Sequence, residues 1–254
     1  MAAYHLDCKD HLGVLHLHAS SANAMNDRVL QALTQGLAAA RAANLRGLIL
    51  TGYERFFSAG LDLLTVYDFD REQMRRFIAH WENTMIELFA FPLPVVAAIN
   101  GAAAAGGCLM ALACDYRVMA KEARIGMTGI RLGITLPAAA LEIFREAVPA
   151  ANSASVLFSG KLFDAEEALK LGLINETVRS ADLLATALQK LHELSQYAES
   201  SVASLKIALR QNTLTRIQHN AEKMRNEFLE IWFSPAARKK LEEIRDELLN
   251  KKQL

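Results

Sequence analysis

Two stretches of this chain leave bare backbone where a strand-like run ends. In Asn100-Gly101-Ala102-Ala103-Ala104-Ala105-Gly106-Gly107-Cys108-Leu109-Met110, the two adjacent glycines open an apolar helix just after Pro94-Val95-Val96-Ala97-Ala98-Ile99. The first amides of a helix have no intrahelical acceptor and lie at the positive end of its dipole, so such a start can hold an oxygen bearing negative charge. No Asp, Glu, His or Lys occurs over residues 95–113. The stretch can therefore stabilise an oxyanion, but it supplies no proton carrier. A glycine pair serves close helix packing equally well. The reading shifts toward chemistry because a second junction, Gly52-Tyr53-Glu54-Arg55-Phe56-Phe57-Ser58-Ala59-Gly60-Leu61-Asp62-Leu63, follows the strand-like Gly47-Leu48-Ile49-Leu50-Thr51 in the same manner.

Together these segments resemble the enoyl-CoA hydratase/isomerase, or crotonase, family. The resemblance rests on Phe57-Ser58-Ala59-Gly60-Leu61-Asp62-Leu63, on Ile99-Asn100-Gly101 with Ala105-Gly106-Gly107-Cys108-Leu109, and on Cys114-Asp115-Tyr116-Arg117-Val118-Met119-Ala120. Ser21-Ala22-Asn23-Ala24-Met25-Asn26 looks like the family's first CoA-contacting turn, and the segment 158–175 like its later helix and strand. The wording Ser58-Ala59-Gly60-Leu61-Asp62-Leu63, Ala105-Gly106-Gly107-Cys108-Leu109 and the late segment 227–235 look closest to mitochondrial-type Δ3,Δ2-enoyl-CoA isomerases. The resemblance implies an acyl-CoA thioester as substrate, with coenzyme A arriving as part of it and no separate cofactor or metal. It implies the amides of Leu61 and Gly106 as oxyanion donors, and Ala24, Met25, Ser58, Ala59, Gly60, Asp62, Ala105, Gly107 and Gly129 as the residues around the substrate.

A thioester carbonyl becomes an enolate when the neighbouring carbon loses a proton or gains a nucleophile. Two preset N–H donors stabilise that charge most strongly in the transition state, each worth about 3 kcal/mol. Here the chain departs from its relatives. Hydratases carry a glutamate where this chain has Leu109, and the isomerase glutamate aligns with Gly129. Losing a general base costs roughly a hundredfold to ten-thousandfold, so the two-glutamate route to hydration is closed. Three replacements are candidates: Glu142, on a helix starting after Pro137; Asp62, which also reads as an acidic cap; and His80, or Asp68 with Tyr67, near a covering helix. Against each stands a plainer reading, namely a solvated glutamate, a structural cap and a packed histidine.

The chain has 254 residues, 52% of them hydrophobic, enough for one sizeable core. Its 28 basic and 28 acidic residues cancel, which argues against a broad nucleic-acid or acidic-membrane surface. Arg28 is only a guess for the CoA phosphates. The odd set Cys8, Cys108 and Cys114 predicts no disulfide framework and fits a reducing compartment. The opening lacks a signal-peptide core and no run is long enough to cross a bilayer, so a cytoplasmic protein is expected. His16 and His18 share one strand face without a third ligand, and an exposed strand is the simpler reading.

The elements that must position these groups alternate. Runs at 4–7 and 14–18 read as a hairpin, 27–43 as a helix capped by Asn26, and 47–51 as a strand. A helical stripe over 74–89 ends at Pro92 and Pro94, ahead of strand 95–99, a helix from Gly106 and a strand near 116–120. Alternation of this kind implies a parallel sheet wound with helices. The resemblance refines the α/β class to a crotonase-type spiral of repeated strand-strand-helix units, residues 1–195, with a C-terminal helical trimerisation region, residues 196–254. Asp164 with Glu167 makes a capping box, Gly172 a helix stop, and 173–178 a short strand. Helices are expected over 181–197, 199–212, 216–233 and 236–250. In relatives this tail builds trimers, so a homotrimer or hexamer is expected.

Three functional readings follow. The first is an isomerase-like acyl-CoA enzyme whose base comes from a non-family position. The second is other enolate chemistry such as CoA-thioester decarboxylation, and the third a non-catalytic acyl-CoA-binding homologue.

Overall fold

The computed structural model describes residues 2–20 and 22–252, with side chains to residue 250; Met1 and Ser21, the latter named above in the CoA-contacting turn, lie outside the described residues. Strands β1 (Tyr4–Lys9) and β2 (Leu12–Leu17) pair antiparallel about a two-residue turn at Asp10 and His11, both at positive φ. Helix α1 (Asp27–Ala42) begins at Asn26, whose side chain accepts from the Val29 amide. From here the chain repeats one unit. It runs through a strand of a large sheet, then a short strand of a small sheet, then helix.

The first turn is β3 (Gly47–Thr51), β4 (Phe56–Ser58), α2 (Leu63–Val66) and α3 (Arg71–Phe89). The second is β5 (Val95–Ile99), β6 (Ala102–Ala104) and α4 (Gly106–Leu112). The third is β7 (Tyr116–Ala120), β8 (Ile125–Gly126), a 3-10 turn (Gly129–Leu132) and α5 (Ala138–Ala147). Helices α6 (Ala150–Ser159) and α7 (Ala165–Leu171), strand β9 (Glu176–Val178), and helices α8 (Leu183–Ser195), α9 (Glu199–Trp232) and α10 (Pro235–Lys252) complete it. The large sheet runs β1-β2-β3-β5-β7-β9, parallel after the hairpin, and the small one β4-β6-β8, wholly parallel. This is the α/β spiral of strand-strand-helix units with a helical C-terminal region.

Strands β3 and β5 are buried along their whole length, as parallel strands covered on both faces must be, and their β-branched and aliphatic runs suit that. Three expectations change. Residues 199–232 form one helix rather than two, because no glycine or proline interrupts them; Thr215 fits inside it by turning its hydroxyl to the Gln211 carbonyl at 3.0 Å, a bond that tends to bend a helix but does not break this one. The strand expected over 173–178 shortens to β9, and the helix expected from residue 181 starts at Leu183 after a 3-10 turn. The small strands β4, β6 and β8 carry no alternation that a sequence could display.

Candidate active site

Parallel pairing of β4 with β6 and β6 with β8 brings three strand ends, and the loops after them, to one edge. Ligands in α/β folds gather at such carboxyl ends. The loop after β4 is clamped to the segment before α1: Ala59 donates its amide to Ala22 O at 3.0 Å, Met25 to Gly60 O at 2.6 Å, and Asp62 to Met25 O at 3.0 Å. In this bridge Met25 uses the groups on either side of Leu61. The Leu61 amide is thereby turned to the opposite side. Among the described residues it donates to no backbone or side-chain acceptor.

The second loop enters α4 through Ala105 at φ 46° and ψ −108°, held by its amide on Gly126 O at 2.8 Å and its carbonyl on the Leu109 amide at 3.0 Å. That bend leaves Gly106, the first helical residue, with an amide that likewise has no acceptor among the described residues. Glycine is obligatory where the loops touch. A Cβ on Gly60, at φ 83°, would stand 2.8 Å from Ala104 O and 3.4 Å from the Gly106 nitrogen, and one on Gly107 would stand 2.2 Å from Ser58 O. The loops carrying both amides are thus pressed together.

Leu61, Ala105 and Gly106 line one wall of a pocket of about 50 Å³, with Ile78 and Trp81 from α3, Leu109 from α4, Met127, Gly129 and the segment 134–137 opposite, and Phe228 of α9 closing it. Leu109 and Gly129, where the resemblance sets the two family glutamates, both face this space. Among the described residues no Asp, Glu, His, Lys, Arg, Cys or Tyr lines it. Its polar side-chain atoms are the Thr135 hydroxyl and the Trp81 indole N–H, and the latter rests on the Met25 sulfur at 3.1 Å.

The other expected site residues hold the loops. Ser58 is buried and donates to Asn23 O at 2.7 Å while accepting from the Gly60 amide at 3.3 Å. Asp62 accepts from Asn26 Nδ2 and from the Thr65 hydroxyl, both at 2.8 Å, and makes no side-chain cap to an α2 amide. Met25 is fully buried, so its side chain serves packing and its backbone serves the clamp. Ala24 and Ala59 are partly exposed beside it.

Glu142 is not brought to the pocket. Its side chain is only 2% exposed and is paired with Arg145 at 2.8 Å and Arg216 at 2.6 Å, facing α9 rather than solvent or substrate. His80 turns to Asp27 at 3.0 Å, in a separate cleft, and Tyr67 lies beneath the guanidinium groups of Arg238 and Arg245. Asp68 and Arg28 are exposed. His16 belongs to an inner strand, half-buried rather than on an exposed face; it lies 3.3 Å from Asp7, yet burial lowers its pKa. The thiols of Cys108 and Cys114 are buried and pushed up to about 12 by desolvation, which leaves them inert.

Two positioning residues have no role assigned from the sequence, although Asn23 lies within the turn that resembles the family's. Asn23, fully buried at φ 45°, donates to Leu17 O at 2.7 Å and Phe57 O at 3.3 Å and accepts from the Ala19 amide. It knits the end of β2 to β4, just ahead of the Leu61 loop. Glu82 of α3 is 2% exposed, takes both Arg225 donors at 2.8 and 3.0 Å, and accepts the Ala139 amide at the uncapped start of α5. Desolvation nevertheless raises its pKa. Its signal in sequence was a lone charge on the apolar stripe of residues 74–89.

Residues 8–249 match the family described as enoyl-CoA hydratase/isomerase. The chain is 30% identical over 208 residues to a probable enoyl-CoA hydratase of Bacillus subtilis, covering 81% of each. It is 38% identical over 141 residues to mouse mitochondrial enoyl-CoA delta isomerase 1, covering 53% of this chain and 48% of that one. The crystal structure of human mitochondrial delta3-delta2-enoyl-CoA isomerase superposes with a TM-score of 0.88 at 25% identity, over 98% of this chain and 99% of that one.

Proposed function

Because this chain belongs to the enoyl-CoA hydratase/isomerase family, we propose that it binds an acyl-CoA thioester and stabilises the enolate of that thioester between the amides of Leu61 and Gly106. One observation carries the reading. Among the described residues both amides are left without a protein acceptor, on adjoining loops that wall the same apolar pocket. In so apolar a space two fixed donors act with little screening, and neither has to reorganise as charge develops.

The reaction proposed first is isomerase-like movement of a double bond through that enolate. The likeness to the mouse and human isomerases supports it. Among the described residues the lining contributes no ionisable group, so a water held against the substrate has to take the proton from C2 and return one at C4, and the rate falls by roughly the hundredfold to ten-thousandfold that a base supplies. That same lining favours a second reading, decarboxylation of a malonyl-type thioester. There the breaking carbon–carbon bond delivers its electron pair to the carbonyl, carbon dioxide leaves, and no protein base is required. A trimer or pair of trimers belongs to the proposal, supported by the exposed Leu205 and Leu209, one turn apart on α9, an apolar strip of the kind an interface covers.

Assays with 3-enoyl-CoA, 2-enoyl-CoA and malonyl-type CoA separate these readings. A parallel measurement follows exchange of the C2 protons of a saturated acyl-CoA in heavy water. Double-bond transfer, or C2 exchange above the buffer rate, is the expected result. Turnover of the malonyl-type thioester alone selects the second reading. Binding without exchange or turnover would leave only a non-catalytic acyl-CoA-binding protein, and absence of binding to any thioester would overturn the proposal.

A further inference from the structure

We propose that Gly129 is the throat through which a long acyl chain leaves the thioester pocket for a second, larger apolar chamber, making the site selective for long-chain thioesters. This inference rests on the acyl-CoA reading above and extends it to the substrate's tail.

The pocket beside Leu61 and Gly106 holds about 50 Å³, room for a few waters or a few carbons. Next to it lies a chamber of about 430 Å³. The two share Met127, Gly129, Ile134, Thr135 and Leu136 as a common wall. Beyond that wall the chamber is lined by Leu141 of α5, Leu157 of α6, and Met224 and Ile231 of α9. Those side chains are aliphatic or thioether, which suits a hydrocarbon and offers nothing to a polar ligand.

Gly129 differs from the other glycines here. A Cβ on Gly60, Gly107 or Gly126 would meet a backbone oxygen within 3 Å, so close packing demands glycine there, and one on Gly106 would press on the Met25 sulfur at 2.7 Å. A Cβ on Gly129 would meet nothing nearer than Ile134 Cγ1 at 3.8 Å, and the residue does not need a positive φ. Its missing side chain is therefore free space in the common wall. At the chamber's outer edge Phe158 is 74% and Ile130 47% exposed, an apolar rim that a tail reaching out of the chamber would cover.

The test is calorimetric binding of butanoyl-, octanoyl- and dodecanoyl-CoA to the full chain, which needs no turnover. Each methylene taken into the chamber adds up to about fourfold in affinity, so dodecanoyl-CoA should bind the wild type at least about tenfold more tightly than butanoyl-CoA. Gly129→Leu fills the throat, and Leu157→Trp fills the chamber from its far wall. Either should collapse the dodecanoyl-to-butanoyl ratio toward unity in protein that still melts cooperatively, so the inference is testable even if one variant fails to fold. A wild-type ratio near unity, or an undiminished ratio in both folded variants, overturns the throat while leaving the thioester reading standing. Failure of the wild type to bind any of the three overturns both.

Discussion

Ala105 occupies a conformation that a side chain resists, φ 46° and ψ −108°, at a cost of about 1–3 kcal/mol. It is kept there by its bonds to Gly126 and Leu109, and the bend aims the Gly106 amide at the pocket. Ala105→Gly should relieve the strain, partly offset by the freer unfolded chain. The expected outcome is a net gain of about 1 kcal/mol in urea unfolding together with slower C2-proton exchange, since the donor is then less firmly aimed. Glu142→Gln tests the other residue whose chemistry was in question. Its two arginines are half-exposed and can be rehydrated, so the loss should be about 1–2 kcal/mol with the rate of double-bond transfer unchanged; abolished transfer in a folded variant would return Glu142 to the chemistry. At this scale sequence reads well what is local. The glycines at 60, 106 and 107 and the absence of any carboxylate between residues 95 and 113 are visible in a line of text. The ion pair of Glu142 with Arg216 joins residues far apart in the chain, and neither carries a mark of the other.

Legibility among the elements follows the strength of periodicity. The buried strands β3 and β5, the stripe of α3 and the Asp164–Glu167 capping box of α7 can be read from side-chain type alone, and the box forms with Asp164 accepting at 3.0 Å. The small sheet cannot be read in this way. Strand β6 is three alanines and β8 two residues long, yet the pairing of β4 with β6 is what sets the loops of Leu61 and Gly106 side by side. What fixes them is register imposed by the larger sheet and contact with neighbouring glycines, a tertiary cause. The covering helices are similar. The start of α5 has no side-chain cap of its own and borrows Glu82 from α3, so the segment that walls the pocket between residues 134 and 140 is fastened by a carboxylate remote in sequence.

Across the whole molecule, α9 ties the helical tail to the spiral. Lys206 donates to Leu93 O at 2.8 Å and to Asp115 at 2.6 Å, and Arg210 reaches Asp115 at 2.7 Å. Burial outweighs the pull of Asp115 and lowers the Lys206 pKa from 10.5 to about 8. The folded chain therefore sheds this proton before the unfolded chain does. Between those two values the unfolded state binds more protons, and stability rises with pH. Measured against Lys206→Met, which cancels other titrations, the wild type should gain about 1–2 kcal/mol between about pH 7.5 and pH 9.5; a flat or falling difference would mean the amine stays charged. The same helix supplies Met224, Phe228 and Ile231 to the pocket and chamber. The pocket's loops at Leu61 and Gly106 come from the first half of the polypeptide, whereas their roof is made among its last residues. During translation the greasy floor of the site thus waits uncovered while about a hundred further amino acids are added, and a ribosome stalled short of codon 224 would release a chain that exposes it to water and to every sticky neighbour in the cell.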